Sequence, residues 1–319
     1  MEGIYVFNID MGNIDLEKTY DLIVLGGGPA ALGCAIYAAR FAMDVLVVGK
    51  TFGGLIATTH IVENYPAITS ISGQGLMDMF RDHMDSLNIP YISDEIRTID
   101  KVDDHFELHS FFQKFKAYSI CLATGSERKK LGIPGEEDFA GRGVSYCATC
   151  DGPFYKDKEV CVIGGSDSAA KEALFLAQNT KKVYIIYRGE EIRAEPINKK
   201  RVYENEKIEI IYKTNIREIK GDGTVKSVIF DNGKEFEIDG VFIEIGSIPN
   251  SDLAKSIGVK TNEKGEIKIN RKSETNVPGI FAAGDVADAP FKQAITGVSE
   301  GVIAAYSALD YVKEMNIEY

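Results

Sequence analysis

The chain has 319 residues, which at about 150 residues per domain corresponds to roughly two domains. Hydrophobic residues make up 45% and charged residues 26%, enough apolar material for sizeable cores in a globular protein. With 36 Lys+Arg against 48 Asp+Glu the formal net charge is −12, which excludes a binder that must neutralise nucleic-acid phosphates, and five cysteines are too few for a secreted disulfide scaffold of this length.

The N-terminus, Met1-Glu2-Gly3 followed by Asp10, Asp15 and Glu17, has neither the basic nor the apolar part of a signal peptide. No apolar run approaches the roughly 18 residues that span a bilayer. The expected location is the cytoplasm, with no membrane or nucleic-acid partner. Residues 1–19 carry no pattern beyond that of an N-terminal arm.

From Tyr20 the chain reads strand, glycine turn, helix, strand. The first strand runs over 20–25, the turn is Gly26-Gly27-Gly28-Pro29-Ala30-Ala31-Leu32-Gly33, a helix runs to about Ala42, and Val45-Leu46-Val47-Val48 is the next strand. Continuous apolar strands of this kind fit a buried parallel sheet. The glycines serve a tight bend, a close approach of backbone to pyrophosphate, and close packing of helix on strand. The helix N-terminus then offers free N–H groups to the phosphates.

Further on stands Cys147-Ala148-Thr149-Cys150-Asp151-Gly152. A Cys-x-x-Cys places two sulfurs within disulfide reach and lowers the pKa of one thiol, so exchange can start from a thiolate. The competing reading is half of a zinc site, which normally needs four ligands. Cys34, Cys121 and Cys161 are isolated in apolar stretches, and His60, His83, His105 and His109 form no matching cluster. A redox pair, three core cysteines and no metal are therefore expected. The glycine motif then recurs: a strand over 159–163, Gly164-Gly165-Ser166-Asp167-Ser168-Ala169, a helix to about Ala177, and a strand over 183–187. Two such units argue for two Rossmann-like dinucleotide-binding folds in an α/β protein.

These motifs, in this order, resemble the low-molecular-weight thioredoxin reductases, flavoproteins of the two-dinucleotide-fold disulfide reductase group. The resemblance extends from Tyr20 to the C-terminus. It is carried by the first glycine turn, Gly53-Gly54-Leu55-Ile56, Val62-Glu63-Asn64-Tyr65-Pro66, Ala123-Thr124-Gly125, the cysteine pair, Gly279-Ile280-Phe281-Ala282-Ala283-Gly284-Asp285-Val286 and Gln293-Ala294-Ile295-Thr296. It implies an FAD domain from residues 1–121 and 249–319, with a second domain over 124–247 inserted in it. The second domain carries the redox disulfide and an NAD(P)-binding-like fold. FAD would then meet Gly26, Gly28, Pro29, Ala30, Gly53, Gly54, Asn64, Thr124, Gly125, Gly284, Asp285, Lys292, Gln293 and Ala294, with Asp285 on the ribityl hydroxyls. Hinges fall at Gly125 and at Gly246-Ser247-Ile248-Pro249-Asn250.

The activity implied is transfer of two electrons from reduced FAD to the Cys147–Cys150 disulfide, and on to thioredoxin or a glutaredoxin-like protein, by a homodimer. Cys150 would face the flavin and Cys147 would be the interchange thiol. Asp151 is placed as a general acid or as a helix N-cap. The same motifs would also serve a disulfide oxidase that passes electrons to oxygen, or a redox sensor without fast turnover.

At the electron donor the chain departs from the family pattern. Gly164, Ser166, Asp167 and Ser168 stand where a Gly-x-Gly-x-x-Ala turn is usual, so a side chain replaces the second glycine. NADPH-dependent members carry His-Arg-Arg-x-x-x-Arg after the next strand; here the run is Tyr187-Arg188-Gly189-Glu190-Glu191-Ile192-Arg193. Arg188 and Arg193 survive, while Glu190 and Glu191 would repel a 2′-phosphate of about two charges. NADPH, NADH through its ribose hydroxyl, and a ferredoxin or other flavin all remain open as donors.

Overall fold

A computed structural model of the chain describes residues 14–315; most of the expected N-terminal arm, residues 1–13, and the last four residues lie outside the described residues. β1 (Thr19–Leu25) is buried from Tyr20 onward. It leads into α1 (Pro29–Arg40), whose proline sits in the first turn, where no N–H is needed. β2 (Val45–Val48) then pairs parallel to β1, with Leu22 opposite Val45. α2 (Gly73–Ser86) starts at Ser72, whose Oγ accepts the Gly75 N–H at 3.0 Å. β3 (Tyr91–Ile92) extends the sheet beside β2. β4 (Thr98–Val102), β5 (His105–His109) and β6 (Lys114–Leu122) form an antiparallel meander that returns β6 parallel to β1. The sheet order is β3-β2-β1-β6-β5-β4.

After β7 (Ser126–Arg128) the chain builds a second sheet. Its elements are β8 (Val144–Ser145), α3 (Ala148–Asp151), β9 (Glu159–Ile163), α4 (Asp167–Leu176), β10 (Lys182–Tyr187), α5 (Pro196–Tyr203) and β11 (Ile208–Tyr212). β12 (Ile216–Asp222), β13 (Thr224–Phe230) and β14 (Glu235–Glu237) follow as an antiparallel sheet, and then β15 (Gly240–Ile243). The parallel sheet runs β11-β10-β9-β15-β8. One face carries α4 and α5 over Val160, Val162, Ile185 and Phe242. The other packs Cys161, Ile163 and Ile186 against Ile216, Val228 and Phe230 of the antiparallel sheet. Burial of both faces explains the uninterrupted apolar strands.

β16 (Ser247–Pro249) pairs with β7. α6 (Asp252–Ser256), β17 (Ile280–Ala282), which joins β6 in parallel, and α7 (Ala294–Glu314) complete the chain. α7 lies along α1 where Gly301 leaves no room for a Cβ beside the Ala30 carbonyl oxygen. The chain thus divides into two compact units: Glu127–Ile248, and the chain up to Ser126 together with that from Pro249. Among the described residues no helix is long and apolar enough to cross a membrane.

Candidate functional site

In the first unit the glycine turn is forced by its neighbours and left open on one side. Gly26 has φ +135°, and a Cβ there would run into the Ala123 carbonyl. Gly28, which starts α1, has ordinary extended dihedrals (φ −87°, ψ 178°) and no side-chain cap, and a Cβ there would meet nothing within 4 Å. The protein itself therefore gives no reason for glycine at 28. The absence of a side chain at 28 leaves the backbone at the start of α1 approachable, as a bound pyrophosphate requires. Gly53 and Gly54, with φ +91° and +59°, close in from one side, Gly53 N–H donating to Gly27 O at 2.7 Å.

This difference separates scaffold from ligand by experiment. Gly26→Ala is expected to destabilise the fold by about 3 kcal/mol or more, from left-handed strain plus a backbone clash. Gly28→Ala is expected to melt within a few degrees of the wild-type apoprotein yet to purify with clearly less bound dinucleotide. Melting curves and absorbance of the purified variants check both.

Other residues that the sequence associates with FAD gather in the same unit. Asn64 Nδ2 donates to Gln293 Oε1 at 3.0 Å, and Gln293 N–H donates to Thr296 Oγ1 at 3.0 Å, opening α7 just before Ala294. Gly284 N–H is held by Glu300 at 2.8 Å. Burial raises the Asp285 carboxyl above its ordinary value, with Lys292 and the buried Ser126 hydroxyl opposing. A desolvated carboxyl beside a buried hydroxyl suits a polyhydroxyl chain. Lys292 is committed to Glu266 (2.6 Å) and the Asp285 carbonyl (2.8 Å). Thr124 Oγ1 donates to the Asn250 carbonyl at 2.8 Å, beside Gly125 at φ +67°. Both therefore shape the site through the backbone. As a set these residues fit FAD.

In the second unit Cys147 and Cys150 form a disulfide, with Cα atoms 5.3 Å apart. Cys147 is the N-cap of α3, and its Sγ accepts the Cys150 N–H at 3.2 Å. Cys147 N–H is held by Ser145 Oγ at 3.0 Å. Cys147 is half-buried and Cys150 exposed. Asp151 makes no side-chain capping bond to the turn that follows. Cys34, Cys121 and Cys161 are free and buried. Among the described residues no group of three or more His, Cys, Asp and Glu side chains is arranged to hold a metal ion.

The second glycine turn keeps the first one's backbone without its opening. Gly164 has φ +149°, and a Cβ there would run into the Glu244 carbonyl. Ser166, which starts α4, has φ −87° and ψ 177° and makes no capping bond. Its hydroxymethyl stands where Gly28 has none. Asp167 is tied down by Glu195 N–H and Asn198 Nδ2, both at 2.9 Å, and by Lys171. These bonds hold its carboxyl below its ordinary value against the opposing effect of burial.

The Tyr187 ring, at the end of β10, packs against both Gly165 and Gly189; a Cβ on Gly189 would come within 2.5 Å of it. Arg193 N–H donates to Gly165 O at 2.6 Å, closing the 188–193 loop onto the turn. Arg188 and Arg193 are exposed. Glu190 pairs with Lys213 at 2.8 Å and Glu191 with Lys199, so neither carboxylate is bare toward an incoming phosphate. Ser166 and the Tyr187 ring set this turn apart from the first, while the two glutamates are paired with lysines.

Sequence reasoning read Tyr187 only as a replacement for the family's histidine and did not single out the partly buried trio Arg128, Glu172 and Glu244. One signal was present: Glu172 lies at helical spacing from Ala169 and Leu176, on the buried side of α4.

A family profile described as pyridine nucleotide-disulphide oxidoreductase matches residues 20–301. The chain is 38% identical over 306 residues to a thioredoxin reductase of Bacillus subtilis, covering 94% of this chain and 96% of that one. Among solved structures, a thioredoxin reductase of Lactococcus lactis superposes with a TM-score of 0.90 at 37% identity, covering 93% of this chain and 100% of that one. A ferredoxin-flavin thioredoxin reductase of Clostridium acetobutylicum superposes with a TM-score of 0.54 at 30% identity, covering 94% and 100%.

Proposed function

The chain belongs to the pyridine nucleotide-disulphide oxidoreductase family, and on that premise we propose that it is a flavin-dependent reductase of a thioredoxin-like protein disulfide. The observation that carries this reading is the Cys147–Cys150 disulfide at the start of α3, with Cys147 Sγ accepting a backbone N–H. FAD, which the first glycine turn, Asn64, Asp285 and Gln293 would hold, would supply the electron pair in its reduced form. That pair breaks the S–S bond and, with one proton taken up, leaves a thiol and a thiolate.

The N–H of Cys150 favours the thiolate at Cys147. Cys147 Sγ attacks the partner's disulfide, and one partner sulfur leaves as a thiol, taking its proton from Asp151, which then takes up the Cys150 proton and passes it to the second partner sulfur. Cys150 Sγ then attacks Cys147 Sγ in the mixed disulfide, restoring the internal bond and releasing the partner as a dithiol. A homodimer and a cytoplasmic setting accompany this reading, and sedimentation tests the dimer.

A second reading concerns the donor. The Ser166 side chain in front of α4 and the Tyr187 ring between Gly165 and Gly189 favour a donor other than a tightly held nicotinamide nucleotide. Anaerobic titration of the purified protein tests this. Dithionite and reduced ferredoxin are expected to bleach the flavin fully, while one equivalent of NADPH or NADH leaves most of the colour. Full bleaching by one equivalent of NADPH would restore the nicotinamide reading. Peroxide production under air, without reduction of insulin through added thioredoxin, would make the protein an oxidase instead.

A further inference from the structure

Against α3 lies a cluster of three ionisable side chains that this exchange chemistry does not use. Glu172 comes from α4, Arg128 from β7 and Glu244 from the residue after β15. Arg128 Nη1 pairs directly with Glu244 and stands 3.6 Å from Glu172. The side chains of Arg128, Glu172 and Glu244 are 25%, 16% and 12% exposed. One guanidinium faces two carboxyls, so a single extra negative charge appears if both ionise.

Burial, and then the charge of Glu244, push the Glu172 carboxyl up to about 8, with Arg128 opposing. Burial also raises Glu244, but Arg128 holds it down directly. Glu172 is therefore the member that keeps its proton at neutral pH. Its Oε1 accepts the N–H of Ala148, the residue after Cys147, at 3.4 Å, and its retained proton is hydrogen-bonded toward the Glu244 carboxylate. The other charges on elements packed against α4 are engaged elsewhere: Lys171 with Asp167, Glu159 with Lys181, Lys182 with Glu209, Lys199 with Glu191 and Lys200 with Glu204. Asp151 lies on α3 itself, and Arg201 on α5.

We infer that Glu172 is a positioning residue whose own protonation sets the stability of the Cys147 thiolate. The inference rests on the reading of Cys147 as the exchange sulfur. While neutral, Glu172 adds no charge beside the first turn of α3. Once ionised it places a negative charge there and grips the Ala148 N–H more strongly, and both effects disfavour a neighbouring thiolate. The sign follows: the thiolate is favoured below the Glu172 titration and penalised above it, so the two groups titrate against each other over a broadened range.

The test reads Cys147 alone. In a Cys150→Ser background, the rate of Cys147 alkylation by iodoacetamide is measured from about pH 6 to about pH 10, by peptide mass spectrometry. Glu172→Gln keeps an acceptor for Ala148 but removes the titration. It is expected to speed alkylation near pH 8 by several-fold to roughly tenfold and to narrow the profile to a single titration. Glu244→Gln has the opposite expectation: Arg128 is freed to hold Glu172 ionised, and alkylation near neutral pH slows several-fold.

A purely structural role would move both variants the same way. Unchanged profiles, or slowing in both, would overturn the inference. Should Glu172→Gln fail to fold, Glu244→Gln decides alone, slowing in support and any other outcome against. Alkylation needs neither flavin nor partner. A Cys150→Ser variant that traps no thioredoxin would sink the proposed partner while leaving this inference standing.

Discussion

Cys147→Ser is expected to lose reduction of thioredoxin by at least about a thousandfold while retaining its full complement of flavin. A serine hydroxyl cannot form the internal disulfide and is not ionised near neutral pH, so both the electron store and the nucleophile disappear together. Flavin retention follows from placement: Cys147 lies in the Glu127–Ile248 unit, whereas Gly26, Asn64, Asp285 and Gln293 lie in the other. Cys150→Ser has a different signature. It leaves Cys147 able to attack but removes the sulfur that resolves the mixed disulfide, so a covalent complex with thioredoxin accumulates on non-reducing gels. Wild-type turnover by Cys147→Ser would remove the cysteine pair from the mechanism.

The second large effect is expected at the donor turn. From sequence alone, Ser166→Gly with Gly189→Arg restores the family pattern and raises use of NADPH. The structure changes that expectation, because a Cβ at 189 meets the Tyr187 ring at 2.5 Å. The double variant is expected to lose about 1–3 kcal/mol of stability, by overpacking against a ring pinned from both sides. It is expected to gain little affinity for NADPH. Adding Tyr187→His removes the phenol and shortens the ring. In that triple variant one new charge-assisted contact to the 2′-phosphate is worth on the order of 1.5–3 kcal/mol, roughly ten- to hundredfold in affinity. Calorimetric titration of NADPH into the double and triple variants checks this. Equal, strong binding by both would clear Tyr187 of the obstruction.

What the sequence made legible was local. The two glycine turns and the cysteine pair each lie within a dozen consecutive residues, and their chemistry follows from spacing. The family resemblance, rather than any local motif, implies a second unit over 124–247, and the second compact unit of the structure is Glu127–Ile248. Other features depended on distant partners. Glu190 and Glu191 read as bare charge, yet Lys213 and Lys199 answer them from beyond β11 and from α5. Tyr187 read as a substitution for histidine; that its ring fills the gap between two glycines is visible only once β10 is set beside β9. Arg128, Glu172 and Glu244 come from three separate elements, and no pattern along the chain links them. Asp151 read equally as acid or cap, and its lack of a capping bond is a matter of side-chain geometry.

The dihedrals at Gly28 and Ser166 agree to within a degree, −87° and 178° against −87° and 177°. A loop whose shape is fixed by its strand and helix does not need a ligand to keep that shape. Selection can therefore add or remove a hydroxymethyl at this place while the backbone of the turn stays the same. For an engineer the same fact makes residue 166 a position where glycine and serine can be exchanged on one backbone.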